Sequence, residues 1–145
     1  MESNIVHILL VEDNEGDILL TLDAFEESKI KTDISVARNG KEALNYLSME
    51  DRTTSLNLPD LILLDINLPL LNGIEVLNHI KQNKFTRHIP VIILTTSSSS
   101  NDINATYDNH ANCFITKPAD ITVFFDVINS LGKFWLHIVK LPTPK

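Results

Sequence analysis

Three acidic residues sit where two apolar runs end. Glu12 and Asp13 follow the run Ile5 to Val11, and Asp65 closes the run Leu61 to Leu64. Runs with almost no polar alternation read as central strands covered on both faces. In an open parallel sheet, ligands bind outside the carboxyl ends of the strands, so these three carboxylates are expected to converge on one point. Hard oxygen donors in that arrangement suit Mg²⁺, which prefers octahedral oxygen ligands and keeps several waters. The backbone carbonyl of Asn67, just past Asp65, offers one further oxygen.

The chemistry such a group supports is phosphoryl transfer, which depends mainly on positioning and electrostatics. Asp65 as nucleophile would give an acyl phosphate, a covalent intermediate open to aspartate. Two more strand ends supply partners: Thr95 follows Val91 to Leu94, and Lys117 follows Cys113 to Thr116. A lysine balances charge as a hydrated point cation, and a threonine hydroxyl donates to a phosphoryl oxygen. Each residue also has a plain structural reading. Glu12 and Asp13 would suit a helix cap, Asp65 a turn, Thr95 any strand and Lys117 a solvated surface. Their joint spacing is what favours a site.

The elements that must position these groups follow from periodicity. Ile18, Leu19, Leu22 and Phe25 recur at helical spacing and predict a helix over about 15–28. A strand over 33–37 follows, then a helix over 40–49 opened by the capping-box spacing of Asn39 and Glu42. The polar stretch 50–59 reads as the longest loop. A strand over 60–65 leads to a second capping-box pair, Asn72 and Glu75, and to a helix that buries Ile74, Leu77 and Ile80 and fades near Gln82. After the fourth strand, the serines Ser97 to Ser100 predict a mobile strand-to-helix loop. The helix beyond it, 101–109, has only Ile103, Ala105 and Tyr107 for a buried stripe. Asp120 then caps a long helix with Val123, Phe124, Val127, Ile128, Leu131, Phe134, Trp135 and Ile138 on its apolar side. Five strand–helix units in alternation predict an α/β sheet with helices on both faces.

Composition narrows the class. With 145 residues, 43% hydrophobic content and no apolar stretch near membrane-spanning length, the chain reads as one soluble domain over 1–145, with a short extension from about 139 and no output domain. Glu2 stands where a signal peptide needs positive charge, so the expected location is cytoplasmic. The single cysteine, Cys113, excludes an intramolecular disulfide and is expected to be a buried core thiol. Nineteen acidic against twelve basic residues give net charge −7 and no basic face, which argues against nucleic-acid binding. The Gly-rich dinucleotide and Walker A patterns are absent. His7 reads as a core or sheet-end residue, while His79, His88, His110 and His137 share no metal-ligand spacing.

Taken in order, VEDN from Val11, LLDINLP from Leu63 with Gly73, LTT from Leu94 and FITKP from Phe114 resemble the receiver domain of two-component response regulators. A finer resemblance, carried by NEGD from Asn14, LDINLP from Leu64, ITK from Ile115, FWL from Phe134 and LP from Leu141, is to stand-alone regulators that partner bacterial phytochrome kinases. The resemblance implies a flavodoxin-like (βα)5 doubly wound parallel sheet of strand order 2-1-3-4-5. It implies Asp65 as phosphoacceptor, Glu12 and Asp13 as the acid pair that holds Mg²⁺ with Asp65 and the Asn67 carbonyl, Thr95 as switch hydroxyl, Lys117 as the site lysine and Phe114 as switch aromatic.

A histidine kinase, of the phytochrome type in this subfamily, would donate the phosphoryl group, and the domain would catalyse only its own phosphorylation and dephosphorylation. Output would be phosphorylation-dependent contact with a downstream protein, and an exposed aromatic end at Phe134 and Trp135 would favour a homodimer. Lys117-Pro118 matches a peptide bond usually cis in the family. Thr96 departs from a position that is often small there. Three other readings are a phosphate sink or relay, a haloacid dehalogenase-like phosphatase and a pseudo-receiver. The phosphatase needs a second aspartate where Asn67 stands, and the intact acid pair, Asp65, Thr95 and Lys117 argue against the pseudo-receiver.

Overall fold

The computed structural model describes residues 5–28, 30–48 and 58–142. The apolar runs form strands β1 (Val6–Val11), β2 (Thr32–Ala37), β3 (Leu61–Leu64), β4 (Val91–Thr95) and β5 (Cys113–Thr116). All pair in parallel, in the order β2-β1-β3-β4-β5, as expected. Each strand is followed by a helix: α1 (Glu15–Glu27), α2 (Gly40–Ser48), α3 (Gly73–Gln82), α4 (Ser100–Asp108) and α5 (Ile121–Lys133). Met49, the expected end of α2, and the loop 50–59 up to residue 57 lie outside the described residues. No helix among the described residues is long and apolar enough to cross a membrane.

Strand residues alternate between two buried layers because successive side chains point to opposite faces. Leu9, Val11, Ile62, Leu64, Val91 and Ile93 pack with Ala43, Leu47, Val76, Leu77 and Ile80 of α2 and α3. Ile8, Leu10, Leu61, Leu63, Ile92 and Leu94 pack with Ile18, Phe25, Phe124, Ile128 and Leu131 of α1 and α5. Full burial of one such side chain contributes roughly 1.5–3 kcal/mol, so the central strands anchor everything placed at their ends.

The helix starts are set by side-chain caps that accept orphan backbone N–H groups. Asn14, Ser99 and Asp120 cap α1, α4 and α5, and Asn72 with Glu75 forms a complete capping box on α3. At α2 the expected box is modified: Asn39 accepts from Glu42 N, but the Glu42 carboxylate reaches one residue further back, to Arg38 N.

Several expectations are corrected. In α1, Leu19 is exposed, whereas Thr21 is buried, its hydroxyl satisfied by donation to Asp17 O at 2.7 Å. In α3, Val76 is buried and Ile74 only partly so. In α4 the only buried residue is Thr106; Tyr107 is exposed, and its hydroxyl accepts from Phe114 N at 3.2 Å. Val123 and Phe134 are exposed on α5 and beyond it, and the helix widens after Lys133 into a π-helical turn, Phe134–Ile138. Cys113 lies on the edge strand and is only partly buried. The Lys117–Pro118 peptide is trans rather than cis, within an energy difference small enough for context to decide. His7 is a sheet-end residue whose N–H donates to Asp60 Oδ2.

Candidate functional site

Strand register brings the predicted groups together. Val11 lies beside Leu64, and Leu64 beside Ile93, so the residues just beyond each strand meet along one edge of the sheet. Asp65 N donates to Val11 O at 3.0 Å, which sets Asp65 next to Glu12. Thr95 pairs with Thr116, and Lys117 N donates to Thr95 O at 2.6 Å, which turns the lysine toward the same point. The crevice lies between β1 and β3, where the following helices, α1 and α3, leave to opposite faces.

Gly73 makes this edge compact. A Cβ there would lie 2.3 Å from Asp65 O and 2.4 Å from Ile66 Cα, so α3 can start against the end of β3 only with glycine at that position. Gly40 plays the same part for α2, with Leu71 O at 2.1 Å from its would-be Cβ. The connection between β3 and α3 is thereby held tightly over the crevice, with Gly73 N donating to Ile66 O at 3.0 Å.

At the centre the Lys117 ammonium meets three carboxylates: Glu12 Oε1 at 2.5 Å, Asp17 Oδ2 at 2.8 Å and Asp65 Oδ2 at 3.1 Å. Glu12, Asp65 and Lys117 are buried, whereas Asp13 is exposed. The second oxygens are also engaged. Glu12 Oε2 accepts from Asn14 N, and Asp65 Oδ1 accepts from Asn67 N at 3.0 Å. Thr95 is fully buried, and its Oγ1 accepts from Asn67 Nδ2 at 3.3 Å and from Ser97 N at 3.4 Å.

Burial pushes the Glu12 carboxyl up to about 7, against the opposing hydrogen bond from Lys117 and with the Asp65 charge adding to the rise. Burial alone would lower the Lys117 ammonium, but its hydrogen bonds to Asp17 and Glu12 and the nearby carboxylate charges hold it above its ordinary value. The lysine therefore stays cationic, and the Glu12 carboxyl is an acid whose charge responds to what else enters the crevice.

Glu12, Asp13 and Asp65 each bring a carboxylate oxygen to within 4.8 Å of the others, the one such group of metal-ligating side chains among the described residues. The donor set is all oxygen and dense in negative charge, as a hard divalent cation requires. Sequence reasoning missed two features. Asp17 lies one helical turn beyond Asp13 and pairs with Lys117; its i+4 spacing was a usable signal. As a contributor to the site Asn67 was read through its backbone carbonyl, yet its side-chain amide donates to both Thr95 Oγ1 and Thr96 Oγ1, at 3.3 and 3.4 Å. The serine loop is tied rather than bare: Ser97 Oγ bonds Asp102 Oδ2, and Thr116 Oγ1 donates to Ser97 O at 3.0 Å.

A doubly wound sheet with an acid cluster and a lysine at its switch point defines a class, and the comparisons agree: the chain belongs to the response regulator receiver domain family, whose model matches residues 8–129. It is 39% identical over 135 residues to the response regulator Rcp1 of Synechocystis sp., covering 93% of this chain and 92% of that protein. It is 38% identical over 137 residues to the probable methanogenesis regulatory protein FilR2 of Methanothrix harundinacea, covering 94% and 88%. Among solved structures, the phosphorylated cyanobacterial phytochrome response regulator RcpA superposes with TM-score 0.91 at 41% identity, covering 97% of this chain and all of that one. The Mn²⁺-bound form of Rcp1 superposes with TM-score 0.89 at 38% identity, covering 95% and 99%. The phosphatase alternative is not favoured by any of these likenesses, and Asn67 occupies the place of the second aspartate it would need.

Proposed function

We propose that Asp65 accepts a phosphoryl group from a histidine kinase and that the phosphorylated form signals through protein contact. The observation that carries this reading is the pairing of the Asp65 carboxylate with Lys117 Nζ at 3.1 Å beside the Glu12 and Asp13 acids. In the transfer, an Asp65 oxygen forms a bond to phosphorus as the bond from phosphorus to the donor histidine nitrogen breaks. Asp65 is oriented for this by Asn67 N on one oxygen and Lys117 on the other.

Glu12, Asp13, Asp65 and the Asn67 carbonyl are the groups that would hold Mg²⁺, which supplies neutralisation of the phosphoryl oxygens when bound. Thr95 is the hydroxyl that would engage the product, giving up its bonds to Asn67 and Ser97 N. Because Ser97 O is tied to Thr116 and Phe114 N to Tyr107, that exchange is passed to α4 and β5, with Phe114 as the aromatic that repacks.

The likeness to regulators whose names refer to phytochromes supports a phytochrome-type kinase as donor, acting in the cytoplasm. An apolar groove lined by Cys113, Ile115, Val127, Leu131, Phe134 and Trp135, with the exposed Val123 also on its wall, supports a homodimer through α5. Incubation with acetyl phosphate followed by intact mass tests the core of this reading. One phosphoryl adduct that requires Mg²⁺ and is abolished by chelator is expected; steady release of phosphate from simple esters would contradict it.

A further inference from the structure

We propose that Asp17 is a positioning residue: with Glu12 it forms a fixed seat that keeps the Lys117 ammonium facing Asp65. The inference rests on the reading of Asp65 as phosphoacceptor.

An ammonium has three N–H donors, and here each has one carboxylate acceptor, Glu12, Asp17 or Asp65. When Asp65 becomes an acyl phosphate its carboxylate charge is lost, and the lysine bond it held is the one to be exchanged for a phosphoryl oxygen. That bond is already the longest of the three. Of the two that remain, Glu12 is also among the acids that converge as a cation site. Asp17 stands outside that group and carries no second demand, so it is the partner that can hold the lysine throughout.

Asp17 is built to stay still. Its N–H donates to Asn14 Oδ1 at 2.9 Å, and its carbonyl accepts from Thr21 Oγ1 at 2.7 Å, which fixes the first turn of α1. Its carboxylate lies at the rim, 24% exposed, while the lysine side chain it holds is 4% exposed. An acid in the first turn of a helix also gains from the helix dipole. That ordinary benefit accounts for an acid here but not for its direction, which is into a cluster already rich in negative charge.

The test compares the native protein with Asp17→Ala and the isosteric Asp17→Asn. The labelling rate by acetyl phosphate is measured across a Mg²⁺ titration. Asp17→Ala is expected to lower the saturated rate about tenfold, the loss of one charge-assisted hydrogen bond, with half-saturation in Mg²⁺ moved by less than about twofold. Asp17→Asn, which keeps an acceptor, is expected to fall between. A saturated rate within about twofold of native, or a loss explained by weaker Mg²⁺ binding, would overturn the proposal and leave Asp17 as a helix-terminal acid.

Hydrogen exchange of the Lys117 ammonium, read by nitrogen-15 NMR on metal-free protein, separates the seat from the phosphoacceptor reading. Slow exchange in the native protein that becomes fast in Asp17→Ala supports the seat even if Asp65 takes no label. Unchanged exchange overturns it.

Discussion

The Lys117 ammonium stands 3.1 Å from Asp65 Oδ2, the longest of its three ion pairs. The lysine is therefore closer to the two acids given no reactive role in the proposal than to the one proposed to react. A buried cation surrounded by carboxylates is also a structural commitment, because removing it leaves the buried Glu12 and Asp65 carboxylates facing one another without a counter-charge.

Replacing Lys117 by methionine is expected to destabilise the metal-free protein by about 3–5 kcal/mol, the cost of breaking a buried ion pair from one side. Urea unfolding measures it. Asp13→Asn, which removes an exposed acid from the same cluster, is expected to act in the opposite direction, and Mg²⁺ is expected to narrow the gap between the variants.

The pH dependence follows from Glu12. Its carboxyl is raised from 4.5 to about 7, chiefly by burial, so the folded state keeps a proton that the unfolded state has released. Metal-free stability should then fall as pH rises from 4.5 through about 7, and stay lower above that. Mg²⁺ at the proposed site would take the ionised form, so its affinity should weaken as pH falls below about 7. Calorimetric titration in buffers of different ionisation enthalpy should show proton release near about pH 6 and essentially none near about pH 9.

Gly73→Ala should be among the most damaging small substitutions. The added methyl would meet Asp65 O at 2.3 Å, so either β3 or α3 must shift. A loss of about 1–3 kcal/mol or more is expected, together with weaker Mg²⁺ binding, because the displaced residue is a ligand candidate. Paired measurements of urea midpoint and Mg²⁺ affinity check both effects.

Much of this was legible in the sequence. The apolar runs of β1, β3 and β4 gave their strands to within a residue or two, because central strands of a parallel sheet must be apolar on both faces; the edge strands β2 and β5 were placed by the strand–helix alternation. Glu12, Asp13, Asp65, Thr95 and Lys117 could be assigned to one edge because strand ends share it. What escaped was side-chain direction off the strands. Asp17 turns inward from a helix, and the Asn67 amide turns toward Thr95 and Thr96, choices set by tertiary neighbours rather than by local pattern. The exposure of Leu19 and Val123 was missed for a related reason: helical spacing defines a stripe, but its width depends on what packs against it.

Tyr107→Phe should loosen the tie between α4 and β5. It removes the acceptor of the Phe114 N–H on an edge strand, next to a helix that buries only Thr106. Amide exchange at Phe114 is expected to accelerate while global stability changes by about 1 kcal/mol or less.

The proposed homodimer should depend on Phe134. The side chain is 50% exposed, and its ring meets Trp135 edge-to-face at 5.9 Å, at the margin of the apolar groove on α5. Phe134→Asp is expected to shift a concentration-dependent dimer toward monomer in sedimentation velocity, with Asp65 labelling unchanged.

Whether Asp65 is the phosphoacceptor is decided by the position of the label. Protein treated with acetyl phosphate and Mg²⁺ is reduced with borohydride, which converts an aspartyl phosphate to homoserine, and the peptides are mapped by mass spectrometry. Conversion is expected at Asp65 alone, dependent on Mg²⁺ and lost in Asp65→Asn. Homoserine at Asp13, the corresponding 5-hydroxynorvaline at Glu12, or labelling that persists in Asp65→Asn would contradict it.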